Sequence, residues 1–184
     1  MTGYDLPESL DVCGREYQIR TDFRDIINIL NAFSDPNLDD AAKAYVFFNA
    51  LFFDHVPPED QAEAYKKGFE FINAGLPDSG GPAVRLMDWE QDAPLIISAV
   101  NKVAGKEVRS IPHLHWWTFL GYYMEIGESQ FSNVVNIRQK KKRNKKLEKY
   151  EQEFYRDNKE LIDLKEKISD EEFDFLDNLI GWRD

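Results

Sequence analysis

The order of apolar and polar positions along the chain predicts a mainly α-helical protein that begins with one small β-hairpin. In residues 9–19, Leu10 and Val12 precede Gly14, and apolar and polar positions alternate on both sides of the glycine. This period-two pattern around a glycine indicates a hairpin. Because an isolated two-stranded hairpin is only marginally stable in water, we expect it to lie against the helices.

From Thr21 onward, apolar residues recur at the three- and four-residue spacing of amphipathic helices. Thr21 or Asp22 caps the first predicted helix. Its core-facing stripe consists of Phe23, Ile26, Ile27, Leu30 and Phe33. The second helix is predicted to begin at Asp35, the N-cap, followed by Pro36 in the first turn. Its shared apolar face consists of Tyr45, Phe48 and Phe52.

A third helix is predicted to begin near Pro58 and to end at Gly75, a residue type common after helix C-termini. Its apolar side consists of Ala62, Tyr65, Phe69 and Ile72. Residues 75–82, GLPDSGGP, have the glycine and proline content of a loop. This loop is the clearest dividing point of the chain.

The most apolar helix is predicted for residues 112–126, after a shorter helix that ends at Gly105. Its apolar positions form two neighbouring stripes, which indicates burial on most sides. We expect Gly121 to allow close approach of another helix. The residues predicted to organise the core are Trp116, Trp117, Phe119 and Tyr123.

Ser129 begins another predicted helix, which runs into a basic segment at residues 138–149. If the helix continues, the basic side chains share one face and form a cationic ridge. The ridge residues are Arg138, Lys141, Lys142, Lys145 and Lys146. Helical spacing resumes in residues 147–161. The pattern thus predicts about seven helices, in a single helical domain at residues 1–168 with a division at 75–82, and a C-terminal helix at 169–184.

Charge singles out the basic segment further. The chain carries a formal net charge of −11, whereas residues 138–149 contain eight lysines and arginines and one glutamate. An acidic body disfavours general nucleic-acid binding. One basic segment in such a body indicates a charge-complementary partner or an intramolecular pairing with the acidic part. The ridge is therefore our candidate docking face for an acidic partner segment, and nucleic-acid binding through residues 138–149 is the alternative.

Residue types that carry catalytic or metal chemistry occur without the arrangement that such chemistry needs. His113 and His115 are two positions apart and point in different directions on a helix, so they do not form an i, i+4 metal pair. Glu90 and Asp92 could act as an acid/base pair, but acidic residues at a helix start are common. We expect these two carboxylates to stabilise the helix or to contact a partner. We therefore expect no catalysis, no metal and no cofactor.

Compartment and membrane association follow from two further features. No stretch reaches the roughly 18 apolar residues needed to cross a bilayer. The N-terminal residues are acidic and lack the apolar core of a signal peptide. Cys13 is the single cysteine and forms no intrachain disulfide. We expect a cytoplasmic protein that does not insert into membranes.

Four stretches of the sequence resemble one known family. They are DWEQDAPLI, which begins at Asp88, HLHWWTFLGYY, which begins at His113, the SxFSxVVxIRxKK pattern from Ser129, and LEKYEQEFY from Leu147. Together they are similar to the bacteriophage gene-product-fifteen family of tailed phages and prophages of Gram-positive hosts. The resemblance extends from the N-terminal hairpin to about Leu164.

This resemblance implies a tail-assembly chaperone. Genes of the family typically lie between those for the major tail protein and the tape-measure protein. The implied role is to keep the tape-measure protein soluble in the host bacterial cytoplasm and to bring tail-tube subunits to it. The family is not known for catalysis, so no catalytic residues are carried over. A structural part of the tail is a further alternative, and self-association is left open.

Overall fold

Two antiparallel strands and eight α-helices make up the described part of the chain in the computed structural model, namely residues 5–74, 85–165 and 167. The strands are β1 (Ser9–Val12) and β2 (Arg15–Gln18). The helices are α1 (Phe23–Phe33), α2 (Asp40–Leu51), α3 (Pro58–Ile72), α4 (Ala93–Ala104), α5 (Trp116–Met124), α6 (Gln130–Lys142), α7 (Lys149–Asp157) and α8 (Lys159–Ile162). The predicted mainly helical fold with an N-terminal hairpin is confirmed.

The hairpin packs on α3, as expected. Leu10 of β1 lies opposite Tyr17 of β2, and both side chains are buried. The turn consists of Cys13 and Gly14, with φ of 52° and 77°. Positive φ at both central residues matches the twist of the flanking strands. The Tyr17 hydroxyl donates to Asp60 of α3 at 2.6 Å, so a buried polar contact joins the hairpin to the helix.

The caps of the first two helices agree only in part with the prediction. Asp22 caps α1, as predicted. Asp39, rather than Asp35, caps α2 by accepting from the backbone N–H of Ala42 at 2.7 Å. The side chain of Asp35 instead accepts from the backbone of Asn37, which closes a local turn. This competing use of an aspartate delays the start of the helix.

The buried face of α2 also differs from the prediction. Of the predicted face, Phe52 is buried and Phe48 is partly buried against the core, whereas Tyr45 is 70% exposed. The fully buried residues of the helix itself are Phe47 and Leu51. The helix is apolar on nearly all sides, so its own periodicity does not select the inward face. Gly68 of α3 selects it, because Phe47 and Leu51 occupy the space that a side chain there would fill.

The most apolar helix, predicted for residues 112–126, is shorter than expected. It begins at Trp116 rather than Pro112, and His115 is the N-cap. The His115 Nδ1 accepts from the backbone N–H of Trp117 at 3.1 Å, and its Nε2 lies 3.0 Å from the carbonyl oxygen of Pro7. No atom lies near the space beyond Gly121 in the described structure, so the predicted close helix approach there is wrong.

The four residues predicted to organise the core lie in or against it. Trp116 and Phe119 are buried, and Trp117 and Tyr123 are partly buried against the main core. The two indole N–H groups donate to consecutive carbonyl oxygens at the C-terminal end of α3, at 2.7 and 2.8 Å. These bonds join α5 to α3 through carbonyls of the last helical turn, one of which, that of Phe71, also accepts from the backbone N–H of Ala74.

The region after α5 forms a smaller core cluster. Val134 and Ile137 of α6 pack with Ile162 of α8. Residues 147–161, which have one continuous helical spacing, form α7 and α8 with a break at Asn158. The predicted division at residues 75–82 and the predicted helix at residues 169–184 lie outside the described residues.

Candidate partner-binding surfaces

Arg138 lies inside the protein rather than on a cationic ridge. The residue is 4% exposed, and its guanidinium forms a bidentate ion pair with the fully buried Asp92. The Nη1–Oδ2 and Nη2–Oδ1 distances are 2.6 and 2.9 Å. Its N–H groups also donate to the carbonyl oxygens of Leu86, Leu161 and Ile162. The prediction that Arg138 and Asp92 are surface docking residues is therefore wrong.

The inward position of Arg138 has a signal in the sequence. Arg138 follows Val134 by four positions and Phe131 by seven, so it falls on the apolar stripe of α6. A cation at such a position requires a buried anion. Asp92 meets that requirement from 46 residues away. Glu90, two positions before it, remains exposed at the surface.

The ridge is also interrupted by the end of α6. The helix ends at Lys142, and Asn144 has a left-handed φ of 52°. The chain then turns, and the backbone N–H of Lys145 donates to the carbonyl of Lys140 at 2.8 Å. Lys145 and Lys146 therefore do not continue one helical face with Lys141, and the predicted single ridge is wrong.

Lys141 forms contacts within the protein instead. Its ammonium pairs with Asp163 and lies 3.8 Å from the ring centroid of Tyr155. Burial acts to lower the pKa of Lys141, but Asp163 and Tyr155 outweigh it, so the pKa is raised. This cation therefore links α6 to the residues after α8.

The remaining exposed cations define what we call the basic patch. It consists of Lys142, Arg143, Lys145, Lys146 and Lys149. None of the five forms an ion pair with another residue in the described ranges. Their charge is thus available to a partner. Lys142 ends α6 and Lys149 begins α7, and the three cations between them lie on irregular chain.

A second surface, which the sequence analysis did not identify, lies at the C-terminal end of α2. We call it the aromatic groove and define it by Tyr45, Phe48, Phe52 and Phe53. It encloses about 460 Å³ between α2 and the start of α3. Tyr45 and Phe53 are 70% and 61% exposed. Large aromatic side chains left open in a concave surface are typical of partner-binding sites.

Arg20 stabilises one side of the aromatic groove. Its guanidinium donates to the carbonyl oxygens of Asn49 and Phe52, at 2.7 and 2.5 Å. It also lies 4.7 Å from the ring centroid of Phe53. The position of the Phe53 ring is therefore supported by a cation that also satisfies carbonyls at the end of α2. His55 and Gln61 add polar groups at the groove edge.

Two other kinds of site are absent from the residues that the structure describes. Within the described ranges, histidine, cysteine and carboxylate side chains form no group able to hold a metal ion. None of the helices described is both long and apolar enough to span a bilayer.

Comparison with known proteins identifies one family. The family model described as Bacteriophage Gp15 protein matches residues 4–164. This range includes the hairpin and all eight helices, and it ends two residues after α8. No curated protein and no solved structure matches significantly.

Proposed function

The chain belongs to the bacteriophage Gp15 protein family, and from that premise we propose that it is a tail-assembly chaperone. In this proposal the protein binds the tape-measure protein in the host bacterial cytoplasm and assists tail-tube assembly, with the major tail protein as a further partner. It acts by binding alone, without catalysis or a cofactor.

The observation that supports this proposal most directly is the exposure of Tyr45 and Phe53 in the aromatic groove. A long helical client has apolar side chains that must be shielded until it is assembled. A groove lined by aromatic rings can receive one apolar stripe of an amphipathic helix. Because Arg20 already supports the Phe53 ring, less ordering of that side chain is needed on binding.

The basic patch supplies a second contact in the same proposal. Its five cations lie between the last residue of α6 and the first residue of α7 and can attract acidic positions of the client. Exposed charges of this kind chiefly raise the association rate and are weakened by salt. We therefore assign affinity to the aromatic groove and salt-dependent capture to the basic patch.

The test is co-expression with the tape-measure protein of the same phage, followed by measurement of its soluble fraction and of the two proteins' co-purification. We expect soluble tape-measure protein that elutes with the chain. In the double variant Tyr45→Ser, Phe53→Ser, the co-purified amount should fall about tenfold or more, because central aromatic anchors dominate binding energy.

Met124→Ser is the matched control. Met124 is 60% exposed, nearly the same as Phe53, but it ends α5 and belongs neither to the groove lining nor to the basic patch. The control should bind as the native chain does. If both variants retain full binding, the groove does not hold the client. If the tape-measure protein stays insoluble with and without the native chain, this chain alone is not a sufficient chaperone.

Two other functions are separated by simple measurements. A nucleic-acid-binding accessory protein would shift labelled DNA or RNA in a salt-dependent way, through the basic patch. A structural tail component would be found in purified virions by mass spectrometry, whereas a chaperone leaves before completion. We expect no shift and no virion-associated chain.

A further inference from the structure

We infer that a furrow between α1 and α4 is the docking site for residues 168–184 of this same chain. The furrow encloses about 300 Å³. Its apolar lining consists of Phe23, Ile27, Trp89, Ile96, Ile97 and Phe119. The buried rings of Phe23 and Phe119 stack with their centroids 4.4 Å apart and form its floor. Along its sides, Ile27, Trp89 and Ile97 remain partly exposed.

Lys167, the last described residue, lies near one end of the furrow. The Lys167 ammonium lies 2.9 Å from the Ser34 hydroxyl, at the C-terminus of α1, and 3.2 Å from Asp88, just before α4. The two helices that form the furrow are thus bridged where residue 168 begins. Ile27 is seven positions from Ser34, or about 10 Å along the helix. The 17 residues that follow Lys167 are long enough to cover this distance whether extended or helical.

The path between Lys167 and the cavity contains an unsatisfied polar atom. The Asn31 side chain lies on α1 between Ser34 and Ile27, on the same face as Asn28, which lines the furrow. Its Oδ1 is buried and has no hydrogen-bond partner among the described residues. A buried acceptor of this kind is normally paired. A donor from a segment lying along the furrow would satisfy it.

The composition of residues 168–184 matches the furrow. The segment contains seven large apolar residues, six acidic residues and one arginine. The apolar residues require an apolar surface to be buried. The acidic residues suit the rim, where Arg24 and Arg109 line the end of the furrow away from Lys167.

The basic patch is a less suitable site for the same segment. It complements the acidic residues, but Leu147 is the one apolar residue between Lys142 and Lys149. Phe173, Leu176 and their apolar neighbours would remain in water there, at a cost that grows with the exposed area. The furrow accommodates both the apolar and the charged parts of the segment.

Disulfide trapping in the full-length chain tests this inference without any client. In a Cys13→Ser background, Asn28→Cys places a thiol at the exposed edge of the furrow, and Lys145→Cys places one on the basic patch. Each is combined in turn with Phe173→Cys, Leu176→Cys, Leu179→Cys or Ile180→Cys. Mild oxidation at low protein concentration is followed by non-reducing electrophoresis and peptide mapping.

We expect at least one pair with Asn28→Cys to close about tenfold faster than its counterpart with Lys145→Cys, because docking raises the local concentration of the second thiol. Ile97→Asp, which puts a charge in the furrow wall, should remove the difference. Equal rates, faster closure at Lys145→Cys, or disulfide-linked dimers in place of intrachain bonds would each overturn the inference. The outcome is independent of whether the chain binds the tape-measure protein.

Discussion

Arg138 of α6 and Asp92, the residue before α4, are 46 positions apart in the sequence and form a bidentate ion pair away from solvent. Burying a charged group costs free energy. Here the two opposite charges face each other, and every other polar contact of Arg138 is a hydrogen bond to a backbone carbonyl. The pair therefore determines how α4, α6 and α8 meet.

Removing one member of this pair should destabilise the protein strongly. Arg138→Met leaves the Asp92 carboxylate buried without a counterion, at an expected cost of about 3–5 kcal/mol. The double variant Arg138→Met, Asp92→Leu should recover much of that loss, because neither charge then remains. Urea denaturation followed by circular dichroism measures both. A double variant as unstable as the single one would show that the carbonyl contacts, rather than the ion pair, are decisive.

Two glycines in helices should respond in opposite directions to alanine. At Gly68 an added methyl group would contact the Phe47 ring and approach Leu51 Cδ2 at 2.6 Å, so overpacking should cost about 1–3 kcal/mol. At Gly121 the space is open among the described residues, so Gly121→Ala should stabilise α5 by up to about 1 kcal/mol. Thermal unfolding of the two variants gives the comparison. Equal effects at both positions would contradict the packing of α2 on α3.

Stability should decrease below neutral pH because of His115. Burial lowers the pKa of this imidazole in the folded protein. The unfolded chain then binds the proton more readily, so the contribution is present above the ordinary pKa of about 6.5 and is lost as pH falls below it. In His115→Asn, which keeps an acceptor for the Trp117 N–H, the free energy of unfolding should change less between about pH 7.5 and 5.5. An unchanged pH slope would rule out His115 as its source.

Cys13 should be a slow nucleophile despite its exposure. The hydrogen bond from its thiol to Glu63, at 2.9 Å, is the largest cause that raises its pKa to about 11. Glu63→Gln should increase the rate of iodoacetamide alkylation at about pH 8 by roughly tenfold, since the thiolate is the reactive form. Glu70→Gln, on the same helix but paired with Lys67, is the control and should leave the rate unchanged.

The elements that the sequence predicts correctly are those with local causes. The Asp22 cap and the alternation around Gly14 depend on neighbours within a few residues, and both are found in the structure. The choice between Tyr45 and Phe47 as the buried residue of α2 depends on Gly68 of another helix. No periodicity within α2 carries that information, because apolar residues occupy both faces.

The same distinction between local and long-range causes applies to the candidate surfaces. The basic composition of residues 138–149 is visible in the sequence, but Arg138 and Lys141 are withdrawn from the surface by Asp92 and Asp163. These acids lie 46 and 22 positions away, so their pairing depends on the tertiary fold. The aromatic groove was not predicted for a related reason, because Tyr45, Phe48 and Phe52 were assigned to the inward face of α2.

The Arg138 contacts also set an order of events during synthesis. Its guanidinium binds the Leu86 carbonyl, 52 positions earlier, and the Ile162 carbonyl, 24 positions later. Since a chain leaves the ribosome from its N-terminus, the hairpin and α1–α3 can pack before these bonds are complete. The buried charges of α4 and α6 reach their final environment only once Ile162 has emerged. Ribosome-bound chains that stop before α8 therefore contain the Arg138 guanidinium without its carbonyl partners at residues 161 and 162.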